Sequence, residues 1–184
     1  ASGKTFEDVF HMEVTEDSIL IKEKQRSSFL FWGVTLDSEL EILGNENKIN
    51  FLETDLVSTS LSIKNLEGEK FILSSMSGDI ELEDVQAKTI NGSTFSSDID
   101  LSNVTATTMK LETTSGGMDL STVTTTNTIQ LETTSGDVDF STVTTNTIQL
   151  ETTSGDVDLS TITTDTIQLE TTSGDVDLST ITTD

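Results

Sequence analysis

The sequence predicts an all-β chain: a single-stranded β-solenoid (β-helix) of about 19 residues per turn, led by an N-terminal β capping segment. Two observations carry this. The stretch Ile148–Thr166 returns almost letter for letter from Ile167 to Asp184, and it precedes itself, lightly edited, from Ile129 to Thr147. Self-similarity at a fixed period near 20 residues marks a solenoid. Inside each copy, apolar residues alternate with polar ones and are rich in β-branched types, which is the pattern of a half-buried strand.

With the glycine of Ser-Gly-Asp as origin, equivalent positions fall at Thr59, Gly78, Ser97, Gly116, Gly136, Gly155 and Gly174, spaced 19, 19, 19, 20, 19 and 19 residues. The one inserted residue lies within Thr124–Thr126, where a corner can bulge without disturbing the faces. In one copy the inward positions are Ile129, Leu131, Val138, Phe140 and Val143; around Gly78 they are Phe71, Leu73, Ile80, Leu82 and Val85. Three short strands per turn are expected, with the glycine supplying a positive φ at one corner. A helix is excluded, because Thr and Val are mediocre helix formers and no three-four apolar spacing survives the glycine. At about 4.8 Å per rung, seven rungs make a rod of roughly 33 Å. One rung cannot bury its own apolar row, so cohesion lies between neighbours.

The first 35 residues do not follow the repeat and are expected to form the cap, with residues 36–184 as the solenoid. Phe10–Val14 and Ile19–Ile21 read as strands flanking a Thr15–Ser18 turn. The aromatic run Phe29-Leu30-Phe31-Trp32-Gly33 reads as a plug for the open N-terminal end. Val34–Leu36, Leu40–Ile42 and Ile49–Leu52 resemble degraded rungs. Gly92 stands where an inward Leu belongs, so its rung is expected to be thinly packed.

Composition narrows the function. The formal net charge is −24, all nine Lys and Arg lie at or before Lys110, and 13 acidic residues follow with no basic one. Such a surface repels phosphate backbones, so nucleic acid is not an expected partner; cations and basic partners are. No run of 18 apolar residues exists to span a membrane, and there is no Cys for a disulfide or thiolate site. The opening Ala-Ser-Gly-Lys lacks an apolar core, so a signal peptide is expected to have been removed or never to have existed.

The rung Ser77-Gly78-Asp79-Ile80-Glu81-Leu82, repeated as Ser135-Gly136-Asp137-Val138-Asp139-Phe140 and its copies, resembles the bacterial adhesin family of DUF4097/DUF4098-type β-solenoids. The aromatic segment Ser28–Gly33 and the extended stretch Ser38–Leu43 resemble the family's lead-in, with Gly44 where members often carry Pro. The resemblance covers most of the chain from about residue 5. It implies a cell-envelope or extracellular protein with a binding or structural role, and it brings no catalytic residues. The protein or cell-surface partner stays unidentified.

Three outward columns follow from the period. Asp79, Asp98, Asp137, Asp156 and Asp175, interrupted at Gly117, form one acidic column; Glu81, Asp100, Asp119, Asp139, Asp158 and Asp177 form a second. Carboxylates about 4.8 Å apart repel by roughly 0.9 kcal/mol per pair in water. Weak Ca²⁺ binding at Asp137, Asp139, Asp156, Asp158, Asp175 and Asp177 would relieve this, although Asp-x-Asp on a flat strand offers few of the six to eight oxygens that Ca²⁺ takes. No cofactor is otherwise expected. Thr122/Thr124, Thr142/Thr144, Thr161/Thr163 and Thr180/Thr182 make a threonine face of the kind seen on ice-binding solenoids, and equally a soluble strand surface. Gln130, Gln149 and Gln168 form an amide column. Abundant carboxylates along a repeat single out no pair, and no nucleophile–base pair stands out, so catalysis is not expected. The last rung is expected to expose Val176, Leu178 and Ile181 and an unpaired edge. Either the native chain continues past Asp184 or this end self-associates.

Overall fold

The computed structural model describes residues 6–24, 38–44 and 48–183. In chain order they form one helical turn, α1 (Phe6–Val9), and fifteen strands: β1 (Phe10–Val14), β2 (Ser18–Glu23), β3 (Ser38–Leu43), β4 (Ile49–Leu56), β5 (Thr59–Lys64), β6 (Gly68–Ser75), β7 (Ile80–Thr94), β8 (Ile99–Thr113), β9 (Met118–Leu120), β10 (Val123–Ser135), β11 (Val138–Thr144), β12 (Thr147–Ser154), β13 (Val157–Thr163), β14 (Thr166–Ser173) and β15 (Val176–Thr182). They coil into a parallel β-solenoid of about seven turns. Every pairing from β2 onward is parallel.

The registers place like on like. One row runs Leu52, Phe71, Ile90, Met109, Ile129, Ile148 and Ile167, each the partner of the next. A second runs Leu61, Ile80, Ile99, Met118, Val138, Val157 and Val176. Period-two alternation turns these rows inward, and all but the terminal Ile167 and Val176 are buried. Phe71 and Phe140 are the bulkiest fully enclosed side chains. Each buried apolar side chain contributes about 1.5–3 kcal/mol relative to exposure.

Three expectations need correction. In the earlier rungs a turn is not three short strands: β7 and β8 each run 15 residues through nearly a whole coil. Their corner is made by a single left-handed residue, Asp84 or Asn103, both at φ 54°, as at Asn65. Asn and Asp tolerate that region best among residues with a Cβ, so the ladder bends without breaking. The Ser-Gly-Asp glycine is also not chiefly a positive-φ residue, since only Gly155 (157°) and Gly174 (135°) have one. What all five glycines share is crowding: a Cβ would lie 2.1 Å from the Thr59 carbonyl oxygen at Gly78 and 1.9 Å from that of Ser97 at Gly116. Glycine is there so that one rung's backbone can rest on the next. Finally, the space at Gly92 is not thinly packed, because Leu111 of the following rung leans in to 3.0 Å of where a Cβ would be.

At the N-terminal end β1 pairs antiparallel with β2, through a turn closed by the Thr15 N–H donating to the Ser18 carbonyl at 2.9 Å. Since β2 pairs in parallel with β4, the hairpin covers that edge of the parallel stack, a common protection for an exposed edge. The inserted residue near Thr124–Thr126 appears as a break in register between Thr125 and Thr128. The aromatic run 29–33 and the boundary at 35/36 lie outside the described residues. At the other end Val176, Leu178 and Ile181 are 38–49% exposed.

The interior also holds hydroxyls. Ser75, Thr94, Thr113, Thr133 and Thr152 form one buried column, and Thr125, Thr145 and Thr164 another. Thr94 donates to Thr113 Oγ1 at 3.0 Å, and the Gly116 N–H donates to Thr113 Oγ1 at 3.1 Å. Further along, the Gly136 N–H donates instead to the Ser154 carbonyl, and the Thr133 and Thr152 hydroxyls have no partner.

Candidate functional site

The two acidic columns lie on the outer surface just past the glycine corner, and they differ. In the first, every carboxylate except the terminal Asp175 accepts a backbone N–H from the equivalent residue one rung on. The Asp156 N–H donates to Asp137 Oδ1 and the Asp175 N–H to Asp156 Oδ1, both at 2.9 Å. The Gly117 N–H donates to Asp98 Oδ1 at 2.7 Å, and the Asp98 N–H to Asp79 Oδ1 at 3.3 Å. Ser60 opens the series by accepting from the Asp79 N–H at 3.3 Å. At this corner the strands have not yet resumed their ladder, so the side chain supplies the missing acceptor. A charged acceptor forms a bond roughly twice as strong as a neutral one.

In the second column a cross-rung bond stands at the head, where Ser62 Oγ donates to Glu81 Oε2 at 3.0 Å, and among the described residues no backbone N–H bonds the carboxylates that follow. Asp100, Asp119, Asp139, Asp158 and Asp177 stack in direct register. Desolvation, then the neighbouring charges of Asp119, Asp158 and Asp137, raise the Asp139 carboxyl above its ordinary range. Asp100 is raised likewise, by desolvation and then by Asp98, Asp119, Asp79 and Glu81. Ser160 Oγ donates to Asp158 at 3.1 Å within its own rung. At the head of the column Lys64 offsets the charge, 2.9 Å from Glu83 and 3.6 Å from Glu81.

Where Gly117 interrupts the first column, Asp98, Asp100, Asp119, Asp137 and Asp139 surround a cleft of about 390 Å³. The fold therefore brings Asp137 and Asp139 together with earlier carboxylates, while Asp156, Asp158, Asp175 and Asp177 continue along the rod. Among the described residues no group of three or more carboxylates or imidazoles is arranged to hold a metal ion. Oxygens that already accept N–H bonds are poorly placed to converge on a cation.

The threonine face is outward as expected: Thr142, Thr161 and Thr180 are in register and exposed, with Thr144, Thr163 and Thr182 beside them. The amide column is linked where Gln149 Nε2 donates to Gln168 Oε1 at 3.1 Å. Two features escape a reading of the repeat. One is the buried carboxylate of Glu23, which accepts the Val57 and Ser58 N–H groups at 2.8 and 2.9 Å and the Ser58 hydroxyl at 3.1 Å. The other is an apolar line on three consecutive rungs at the glycine corner, made by the half-buried Val57 and the exposed Met76 and Phe95.

A parallel solenoid with a carboxylate-bonded corner and an N-terminal antiparallel hairpin defines a class of rod-like repeat proteins, built around a Ser-Gly-Asp rung. The model of the Toastrack DUF4097 family matches residues 4–182, and the chain belongs to that family. No curated protein matches the chain, and no solved structure does.

Proposed function

We propose that the protein is a non-enzymatic β-solenoid module of the bacterial cell envelope or surface, serving as an acidic spacer, scaffold or adhesin-like binder without a bound cofactor. The observation supporting this most directly is the uniformity of the outer columns. Along the later rungs the outward positions repeat almost without change, so chemistry is spread along the rod and no residue is singled out as a reacting group. A surface of this kind suits distributed contact and mechanical spacing, and family membership is consistent with it. Protease shaving of intact cells, followed by detection with an antibody against the solenoid, tests the placement. The reading expects loss of the signal from whole cells; protection until the cells are lysed would refute it.

A further inference from the structure

The corner column just before the glycine holds Val57, Met76 and Phe95 on three successive rungs, then Thr114, Thr134, Thr153 and Thr172 on the next four. The backbone stacks these corners directly: the Ser77 N–H donates to the Val57 carbonyl at 3.0 Å, the Ser96 N–H to Met76 at 3.2 Å and the Ser115 N–H to Phe95 at 3.1 Å. Met76 is 56% exposed and Phe95 58%. The fold does not need apolar groups here, because Thr fills the same position in later rungs. A groove of about 510 Å³ runs beside the line, floored by Leu56 and edged by Asp55, Ser74 and Ser93. Beyond the corner stand Asp79 and Asp98 of the first acidic column.

We propose that this ridge and groove form a docking site for a cationic amphipathic helix of another protein, lying along the rod axis. The spacing selects a helix. Ridge residues rise about 4.8 Å per rung, close to the roughly 5.4 Å pitch of an α-helix. Side chains on one face of an extended strand are about 6.6 Å apart and fall out of step after one rung. Apolar anchors at i, i+3 or i+4, and i+7 meet Val57, Met76 and Phe95 in turn, and the flexible thioether of Met76 absorbs the small mismatch. Carboxylates at Asp55, Asp79 and Asp98 select Lys and Arg on the helix flanks, and a chain of net charge −24 disfavours a second copy of itself as the occupant. The site does not depend on where the rod is deployed, so its failure and that of the surface placement are separate results.

The test uses the whole chain and a labelled synthetic helix of about 18 residues, with Leu at i, i+3, i+4 and i+7 and Lys elsewhere. Two control peptides carry Ser for every Leu or Glu for every Lys. Binding is read by fluorescence anisotropy at about 0.15 M ionic strength. The double variant Met76→Thr/Phe95→Thr installs the residue that later rungs already carry, and its melting curve checks folding. The expected result is at least about tenfold weaker binding by the variant than by the native chain, with neither control peptide binding like the parent. Since the chain has no Cys, Ser77→Cys supplies a second readout: it should crosslink to a cysteine on the apolar face of the peptide, whereas Thr153→Cys should not. Equal affinity for native and variant chains, equal binding of the Ser peptide, or dimerisation of the native chain through the ridge would each overturn the proposal.

Discussion

The rungs before Gly117 and those after it solve the same geometrical problem with different chemistry. The earlier ones turn a corner on a left-handed Asn or Asp, at Asn65, Asp84 and Asn103, and at the last two the strand runs on unbroken. The later ones have Thr122, Thr142, Thr161 and Thr180 at that position and break into two strands per turn. Earlier rungs also offset carboxylates with Lys64, Lys88 and Lys110, and the interior hydroxyls of Ser75, Thr94 and Thr113 are bonded, although that of Thr54 is not. Later rungs contain no basic residue, and Thr133 and Thr152 keep unpartnered hydroxyls. What both regions retain is the buried apolar rows, the crowded glycine and the Asp-to-backbone bond. These shared devices hold the rung together; the rest is free to vary.

The largest expected effect tests the apolar rows. Val157 is buried, and Val157→Asp should cost more than about 4 kcal/mol by placing an unpaired charge inside the stack. Gln149→Asp, on the outward column, should cost under about 1 kcal/mol beyond its added repulsion. Chemical denaturation of both variants decides the register, and equal losses would show it to be misassigned.

Next come the glycines. Gly116→Ala would push a Cβ to 1.9 Å from the Ser97 carbonyl oxygen, whereas at Gly117 the nearest atom is 3.5 Å away. The first substitution should cost about 3 kcal/mol, and the second should stay within about 0.5 kcal/mol. Adjacent glycines with such different tolerance would distinguish rung-on-rung crowding from any requirement for glycine's dihedral freedom.

The capping hairpin provides a pH-dependent comparison. Burial raises the Glu23 carboxyl, but bonds from the Ser58 and Val57 N–H groups and the Thr59 and Ser58 hydroxyls outweigh it and leave it below its ordinary 4.5. A depressed folded-state pKa means stability that is fully present above the unfolded value and is lost as pH falls through the folded one. Glu23→Gln should therefore cost about 1–2 kcal/mol at neutral pH, and the gap to the native protein should close below the ordinary carboxylate range. A gap unchanged by acid would show that the carboxylate's charge is not what fastens the hairpin.

Much of this architecture was legible in the residues. The period, the inward rows from Phe71 through Val143, the strands at Phe10–Val14 and Ile19–Ile21 and the outward Asp columns all follow from alternation and spacing, which are properties of one chain segment. The devices that act between rungs were not. Crowding at Gly78 depends on the carbonyl of Thr59, and the role of Asp137 depends on the N–H of Asp156, each a rung away. The interior hydroxyls had a signal: Thr152 lies in phase with Ile148 and Leu150, so strict parity places it inside. Threonine's preference for the surface masked that.

A smaller effect concerns ions. With one acidic column already bonded to backbone, monovalent salt should raise the melting temperature as much as Ca²⁺ at matched ionic strength, through screening alone. An added shift from millimolar Ca²⁺ that Asp137→Asn/Asp139→Asn removes would make the cleft at Gly117 a cation site.

The most direct test of the central claim, that the two acidic columns have opposite structural roles, is the stability of Asp137→Ala against Asp139→Ala at neutral pH. Asp137→Ala removes the acceptor of the Asp156 N–H and should destabilise by about 1 kcal/mol, with faster hydrogen exchange at the Asp156 amide. Asp139 has a raised folded-state pKa, from desolvation and then neighbouring carboxylates, so its charge subtracts stability at neutral pH and the penalty lifts as pH falls through that value. Removing it should stabilise, by about 0.3 kcal/mol after solvent screening. Opposite signs are the predicted result; shifts of the same sign, with Asp156 exchange unchanged, would contradict the account.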